Sequence, residues 1–237
     1  MTTVGALVVA AGRGERLGPG DPKALRLLGG APVLVHAVRA LAAAATVEHV
    51  VVAAPPDAVE VTRTLLADDH AGASLEVVAG GAERPDSVRA ALAALPDEVD
   101  VVLVHDAARP LAPSQLADAV AAAVVGGCDA VVPVLPVVDT VKQVSGDQVV
   151  ATVDRSSLRA VQTPQGFRRS VLEQAHREHR TGDGVEVTDD AGLVERIGRP
   201  VTVVPGHEDA FKVTRPVDLL LAETVLAARR DGNRSDG

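Results

Sequence analysis

Short valine-rich runs alternate with alanine- and leucine-rich stretches over the first 135 residues, and few folds accommodate such a pattern. The runs are apolar at nearly every position, as strands buried on both faces of a parallel sheet are. They predict strands over Val4–Ala10, Val47–Ala53, Leu75–Ala79, Val99–Val104 and Ala130–Leu135. The stretches between them predict helices at 32–45, 57–67, 86–95 and 113–125, with Asp57 and Asp86 as N-caps and Gly126-Gly127 ending the fourth. Successive right-handed βαβ units of this kind predict an α/β fold with a doubly wound, mostly parallel sheet.

The alternation stops after Asp139. Residues 139–155 have the pattern of two short strands around a Ser-Gly-Asp turn and predict a β-hairpin arm that projects from the α/β body. Further on, the sequence predicts helices near 168–179 and 188–197, strands near 200–204 and 210–214, and a last helix from Pro216. We therefore expect one domain over 1–229 and a polar, disordered tail over 230–237. Because an isolated ribbon is marginally stable, the 139–155 arm is expected to pack on a second subunit in a homodimer.

Composition excludes several classes of protein. The 237 residues include no Trp or Tyr and only two Phe, so Ala, Val and Leu must build the core. The formal net charge of −9 disfavours a nucleic-acid partner, because such proteins carry a basic surface. Cys128 is the only cysteine, which leaves no internal disulfide and no cysteine metal cluster. No uncharged apolar run has the length of a membrane span, and no basic region precedes Val4, so a soluble, cytoplasmic protein without a membrane partner is expected.

The first predicted strand leads into a glycine-rich loop, AAGRGERLGPGDPK. A Gly-x-Gly turn at Gly12 and Gly14 is in the simplest case a strand-to-helix connection that needs conformational freedom. The dinucleotide-binding fingerprint fails because Leu17 stands where its third glycine belongs, and the Gly-Lys-Ser/Thr of a Walker loop does not occur. The remaining interpretation is a polyphosphate cradle, in which backbone N–H groups bind phosphate oxygens and Arg16 and Lys23 neutralise their charge.

Five later segments, in order along the chain, accompany this loop: GGAERPDSV (80–88), VHDAARP (104–110), DTVK (139–142) with VDRSSLRAVQTPQGF (153–167), TDDAGLVE (188–195) and EDAFKVTRPVDL (208–219). Together the six resemble the cytidylyltransferases that act on methylerythritol phosphate in isoprenoid biosynthesis. The resemblance spans nearly the whole chain and implies a Rossmann-like nucleotidyltransferase sheet. One departure is Ala24, which stands where the family commonly has Gln after Pro-Lys.

The resemblance also implies a role for individual residues. As catalytic residues it implies Arg16, Lys23, Arg155 and Lys212. For the CTP site it implies Ala10, Ala11, Gly12, Gly14, Gly80, Gly81, Ser87 and Asp106. For the site of the acceptor, a sugar-alcohol phosphate, it implies Asp106, Arg109, Thr140, Arg155, Thr188 and Lys212. Asp106 and Asp209 are the candidate Mg²⁺ ligands, and Arg155 is expected to reach the acceptor phosphate across a dimer interface.

Several of these residues have a simpler structural explanation. Asp106 follows a buried strand, where it either binds Mg²⁺ or a substrate hydroxyl or forms a turn through a backbone amide. Ser87 either offers its hydroxyl to the base or ribose of a nucleotide or, like Asp86, caps a helix. Thr188 is a good N-cap as well as a candidate phosphate ligand.

The candidate residues are cations, small loop residues and a few carboxylates, which suits nucleotidyl transfer. In the reaction that the resemblance implies, a phosphate oxygen of 2-C-methyl-D-erythritol 4-phosphate attacks the α-phosphorus of CTP and pyrophosphate leaves. A ribitol 5-phosphate cytidylyltransferase is the nearest alternative, because it differs only in the acceptor. A nicotinamide-dependent reductase is disfavoured by the failed fingerprint, and a non-catalytic nucleotide-binding module by the presence of Lys23 and Lys212.

Overall fold

Apolar runs form the strands of this protein, as seen in a computed structural model that describes residues 2–12, 23–179 and 188–235. The strands of the described residues are β1 (Thr3–Val9), β2 (Leu27–Leu28), β3 (Ala31–Pro32), β4 (Val47–Ala54), β5 (Ser74–Ala79), β6 (Val99–Asp106), β7 (Ala130–Pro136), β8 (Val141–Ser145), β9 (Gln148–Val153), β10 (Arg159–Val161), β11 (Gln165–Arg168) and β12 (Val201–Pro205). Eight of them form one sheet in the order β10-β7-β11-β6-β1-β4-β5, with β12 also paired to β7. The pairs β5-β4, β4-β1, β1-β6 and β7-β12 are parallel, which confirms the predicted mostly parallel sheet.

Helices cover both faces of this sheet. They are α1 (Val33–Ala42), α2 (Val59–Leu65), α3 (Arg84–Ala94), α4 (Ser114–Val125), α5 (Arg169–Glu178), α6 (Asp190–Arg196) and α7 (Pro216–Ser235). Alternate residues of β1 point to opposite faces: Ala6 and Val8 belong to a core shared with α1 and α4, and Leu7 belongs to a core shared with α3, α5 and α6. This two-sided burial explains the continuous apolar runs and confirms the doubly wound α/β class. No helix within the described ranges is long and apolar enough to cross a membrane.

The hairpin arm lies outside the central sheet. Within the described part of the chain, strands β8 and β9 pair only with each other, and Gly146 takes a positive φ of 56° in the turn between them. Almost every side chain of the two strands is exposed, including Val144, Val149 and Val150. The predicted ribbon at 139–155 is therefore present and carries an exposed apolar surface.

The structure differs from the local predictions in three respects. The strand expected near 210–214 is replaced by a 3₁₀ turn at Glu208–Ala210 and an unpaired segment, because its backbone bonds to loop residues instead. Strands β10 and β11 were not predicted, since they are short and lie in a segment rich in polar residues. Asp57 and Asp86 are not N-caps: Asp57 lies within a 3₁₀ turn at Pro56–Ala58, and Asp86 is the third helical residue of α3. Gly126 does end α4.

Two further differences concern helix ends late in the chain. Helix α6 is capped by Asp189, whose carboxylate accepts from the Gly192 amide, so Thr188 precedes the cap instead of forming it. Helix α7 continues through Ser235, where a disordered tail was expected from residue 230. Arg229 and Arg230 tie this part of the helix to the body of the protein, because they donate to the Leu111 carbonyl at 2.8 Å and to the Gly29 carbonyl at 3.2 Å.

Candidate active site

A cavity of about 250 Å³ lies at the carboxyl edge of the sheet, where β1 and β6 end and α3 begins. Crevices at this edge are the usual ligand sites of open α/β sheets. The cavity is lined by Val9, Ala10, Ala11, Gly12, Ala24, Gly81, Ala82, Glu83, Arg84, Ser87, Asp106, Ala107, Ala108 and Lys212. It therefore brings together residues from four of the segments that the sequence singled out.

The glycine loop forms one wall through its first residues. The Ala10 amide donates to the Ala53 carbonyl at 2.9 Å, and the Ala107 amide donates to the Val9 carbonyl at 3.2 Å, which fixes where the loop leaves β1. Residues 13–22, which include the predicted Gly14 and Arg16, lie outside the described residues. Lys23 begins a 3₁₀ turn at Lys23–Leu25, and its side chain is likewise outside the described part of the chain.

The opposite wall is the turn between β5 and α3. The Gly80 amide donates to the Ala54 carbonyl at 2.7 Å, and the Gly81 amide donates to the Ser87 hydroxyl at 3.1 Å. A Cβ at Gly80 would lie 2.6 Å from the Cβ of Ala11, so the two walls approach as closely as glycine allows. The buried Ser87 hydroxyl donates to the Glu83 carbonyl at 3.2 Å, and it therefore has only acceptor capacity left for a ligand.

Asp106 lies at the end of β6 between two cations. Its Oδ2 accepts a hydrogen bond from Lys212 Nζ at 2.7 Å, and its Oδ1 lies 3.5 Å from the Arg84 guanidinium. Burial alone would raise the pKa of Asp106, but the charges of Arg84 and Lys212 outweigh burial and hold this pKa well below its ordinary value. Asp106 is therefore a carboxylate, and its charge balances the cations of the cavity.

Arg84 connects the cavity to a buried acid behind it. Its guanidinium donates to Asp190 Oδ2 at 2.6 Å, and Asp190 Oδ1 is 2.9 Å from His176 Nε2. The side chains of Asp190 and His176 are 1% and 2% exposed. Burial opposes the ionisation of Asp190, and the Arg84 charge overcomes this effect and keeps the pKa of Asp190 below its ordinary value.

His105 fixes the backbone at Asp106. Its Nε2 lies 3.2 Å from the Arg109 carbonyl, which only accepts, so Nε2 carries the proton and Nδ1 accepts from the Thr163 hydroxyl at 3.0 Å. The Thr163 hydroxyl oxygen in turn accepts from the Asp106 amide at 3.1 Å. Complete burial lowers the pKa of His105 to about 4, so the ring is neutral at neutral pH.

Arg109 does not line the cavity, although the sequence predicted that it binds the acceptor. It donates to the Ala210 carbonyl at 2.6 Å and to the Val161 carbonyl at 3.2 Å. The Val213 amide also donates to the Ala108 carbonyl at 2.8 Å. These bonds hold the loop that carries Lys212 against the end of β6.

Four other predicted residues lie apart from the cavity. Thr140, Arg155 and Thr188 are exposed, and Arg155 donates to the Val138 carbonyl at the base of the hairpin. Asp209 forms an ion pair with Arg229 and lines a different surface cavity. None of these four side chains is among those that line the cavity beside Asp106.

Three residues of this region had no role assigned from the sequence. Arg84 stands inside a segment that was singled out, and a cation at the start of a helix was its only signal. Asp190 and Arg84 are 106 positions apart, so their pairing depends on the three-dimensional fold. His176 lies on the buried face of α5 and gave no signal of its own.

An open, doubly wound sheet with a glycine-walled, cation-bearing cavity at its carboxyl edge defines a nucleotide-binding protein of the Rossmann-like α/β class. The comparison with known proteins is more specific. The profile of the IspD family, 2-C-methyl-D-erythritol 4-phosphate cytidylyltransferase, matches residues 4–228. The chain belongs to this family.

Relatives and solved structures agree with this assignment. The chain is 59% identical over 225 residues to a 2-C-methyl-D-erythritol 4-phosphate cytidylyltransferase of Frankia casuarinae, covering 94% of this chain and 81% of that protein. It is 57% identical to the protein of the same name from Streptomyces avermitilis, covering 95% and 92% of the two chains. The crystal structure of the Thermus thermophilus enzyme of that name superposes with a TM-score of 0.76 at 38% identity, covering 94% of this chain and 98% of that one. The sequence-based identification of the family is confirmed.

Proposed function

We propose that this chain transfers CMP from CTP to 2-C-methyl-D-erythritol 4-phosphate, giving 4-diphosphocytidyl-2-C-methyl-D-erythritol and pyrophosphate in isoprenoid precursor biosynthesis. The observation that carries the proposal is Lys212, a half-exposed cation that lines the same cavity as the first residues of the glycine loop. Family membership at this level of identity supports both the reaction and its two substrates. The expected cytoplasmic location belongs to the same proposal.

The chemistry needs charge neutralisation more than a general base. A phosphate monoester has a second pKa of about 6, so the acceptor is mostly a dianion at neutral pH and attacks without losing a proton. Its approach to a triphosphate is opposed by about 4 kcal/mol for each pair of unit charges roughly 4 Å apart at an effective dielectric constant of about 20. We assign Arg16 and Lys23 to the triphosphate, and Lys212 and Arg155 to the acceptor phosphate. Ala10, Ala11, Gly12, Gly14, Gly80, Gly81 and Ser87 remain the proposed CTP-binding residues.

Mg²⁺ fits this cavity as an ion that CTP brings with it. Within residues 2–12, 23–179 and 188–235, no three His, Cys, Asp or Glu side chains converge on one point. Asp106 lines the cavity and is ionised, so we retain it as the protein carboxylate beside the ion. Asp209 is less suited, because it pairs with Arg229 at another cavity. Bound Mg²⁺ would supply further neutralisation of the phosphates.

We also propose that the hairpin arm makes the enzyme a homodimer and delivers Arg155 to the partner's cavity. The exposed valines of β8 and β9 form the apolar surface that such an interface needs, and soluble monomers rarely carry one on a projecting ribbon. The position of Arg155 and Thr140 at the base of the arm, apart from the cavity of their own chain, supports a role in the neighbouring site.

Pyrophosphate release tests the reaction. The enzyme is incubated with CTP and Mg²⁺ and given 2-C-methyl-D-erythritol 4-phosphate or ribitol 5-phosphate in separate reactions. We expect release with the first acceptor at a kcat/KM well above that with the second. A preference for ribitol 5-phosphate would change the acceptor, and binding of CTP without release with either acceptor would favour a non-catalytic module.

Mixed dimers test the assignment of the cations. Arg155→Ala or Lys212→Ala should chiefly raise the KM for the acceptor, whereas Arg16→Ala or Lys23→Ala should lower kcat by about 10²–10³, by analogy with other charge-stabilising donors. If Arg155 acts across the interface, mixing Arg155→Ala with Lys212→Ala subunits leaves one intact site in each heterodimer. Random exchange should then restore about a quarter of wild-type activity. No recovery after verified exchange would contradict the shared site.

A further inference from the structure

In the proposed reaction Lys212 must bind two groups in turn, the Asp106 carboxylate and the acceptor phosphate. In this structure its ammonium bonds to Asp106 Oδ2 at 2.7 Å, whereas the proposed function, on which this inference rests, needs it on the acceptor phosphate. Release of Lys212 leaves the carboxylate of a largely buried Asp106 without its nearest cation. An unpaired buried carboxylate is costly, so this transfer of Lys212 is favoured when a second cation of the protein stays beside Asp106, in addition to the Mg²⁺ proposed to accompany CTP.

Arg84 is that second cation, and its geometry suits a fixed partner. One terminal nitrogen of its guanidinium bonds to Asp190 at 2.6 Å and the other lies 3.5 Å from Asp106 Oδ1, so a single planar fork spans both carboxylates. Lys212 by contrast has a flexible side chain that is 41% exposed, and it lies in a loop, not in a helix or strand.

Asp190 holds Arg84 from a position that no substrate reaches. Both of its oxygens are used, Oδ2 by Arg84 and Oδ1 by His176 at 2.9 Å, and its side chain is 1% exposed. Asp190 is also the first residue of α6, directly after the Asp189 cap, so the backbone of a helix fixes its place.

We propose that Asp190 and Arg84 form a buried positioning pair that holds the Asp106 carboxylate in place while Lys212 moves from it to the acceptor phosphate. Arg84 also links the proposed CTP site to the proposed acceptor site. It is the first residue of α3, which follows the turn at Gly80 and Gly81, and it pairs with Asp190 in α6, which follows Thr188. Without the pair, Lys212 becomes the main counter-charge of Asp106 and is held back from the acceptor.

Steady-state kinetics of Asp190→Asn and Arg84→Lys test the pair. Asparagine keeps the shape of Asp190 but not its charge, and lysine keeps the charge of Arg84 but cannot span two carboxylates. Each variant should lower kcat/KM for the acceptor by about 10- to 100-fold, because a displaced charge at the reacting groups has this effect. The KM for CTP, and CTP binding followed by calorimetry, should change less than threefold.

Two combinations separate positioning from a general loss of structure. The double variant should be no worse than the more damaged single variant, and in a Lys212→Ala background Asp190→Asn should change the acceptor kcat/KM by less than twofold. Asp129→Asn is the matched control, because Asp129 also pairs with two arginines, Arg168 and Arg199, but lines no part of the cavity. Its kcat/KM should equal that of the wild type.

Three results would overturn the proposal. The losses of acceptor kcat/KM in the two single variants could multiply in the double variant, the KM values for CTP and for the acceptor could rise equally, or the Asp190→Asn enzyme could be as active as the control. If Asp190→Asn fails to fold, as thermal unfolding would reveal, Arg84→Lys and its Lys212→Ala double variant decide the matter alone. A wild-type enzyme that releases pyrophosphate while the variants behave normally refutes the pair and leaves the reaction standing. A wild-type enzyme that releases none refutes the reaction itself.

Discussion

Because of His105, the stability of this protein should begin to fall at a pH higher than the range in which its carboxylates titrate. The ring is fully buried, and its pKa falls from 6.5 to about 4 in the folded protein. Between these two pH values His105 binds a proton in the unfolded chain but not in the folded chain. The free energy of unfolding therefore decreases as the pH falls through this interval. The difference of about 2.5 pH units, at about 1.36 kcal/mol per unit, amounts to about 3 kcal/mol.

Urea unfolding at pH 7, 6, 5 and 4.5 measures this loss. Far-UV circular dichroism is the appropriate signal, because the chain has no Trp or Tyr. The free energy of unfolding should decrease with a slope that approaches about 1.4 kcal/mol per pH unit below pH 6. Half-buried His36, whose pKa is also lowered by burial, adds a smaller decrease in the same direction. Asp106 and Asp190 lose their stabilising charge only below their ordinary pKa near 3.8, outside the interval measured.

His105→Gln is the control for this assignment. Glutamine retains an amide that donates and a carbonyl that accepts, but it does not titrate. The variant should be less stable than the wild type at pH 7. Between pH 6 and 4.5 its free energy of unfolding should change with pH less steeply than that of the wild type, by about 1.4 kcal/mol per pH unit, since one fewer proton is taken up on unfolding. Equal slopes in the two proteins would refute the argument that His105 is buried in its neutral form.

Three further predictions concern the walls, the lysine loop and the arm. Gly80→Ala places a Cβ 2.6 Å from that of Ala11, so initial-rate kinetics should show a raised KM for CTP; an unchanged KM would mean that the two walls yield easily. Arg109→Gln removes charged hydrogen bonds to two loop carbonyls and should lower the Tm by about 5 °C in calorimetry, together with a higher acceptor KM. Val149→Asp on the arm should shift light scattering towards a monomer, whereas Val61→Asp, an equally exposed valine on α2, should not; dimers in both would contradict the proposed interface.

The parallel core was predictable because a strand buried on both faces is a continuous apolar run in the sequence. Strands β1, β4 and β6 are rich in valine and mostly buried, and α4 ends at the expected glycine. Strand β11, with the sequence QGFR, has no such apolar run. It inserts antiparallel between β6 and β7, and only its three-dimensional neighbours determine that Phe167 becomes the largest fully buried side chain.

The motifs singled out Gly12, Gly81, Asp106 and Lys212, and the structure places all four around one cavity. Their roles in the reaction stay predictions. Arg109 shows the limit of that reasoning: its motif was recognised, but its guanidinium supports a loop instead of lining the cavity. Arg84 bonds to Asp190 and Asp190 bonds to His176, and sequence spacing does not encode contacts of this kind.

The long separation between the partners in the cavity has a consequence for how a ribosome makes this enzyme. Lys212 and Asp106 are 106 positions apart, and so are Asp190 and Arg84. At about 5–20 residues per second, synthesis leaves Asp106 and Arg84 without those partners for about 5–20 s. When Asp106 is added, the nascent chain holds the strands from β1 to β6 and both glycine walls, but neither Asp190 nor Lys212. The cavity is therefore completed only late in translation, and a chain released before residue 212 lacks the lysine that pairs with Asp106.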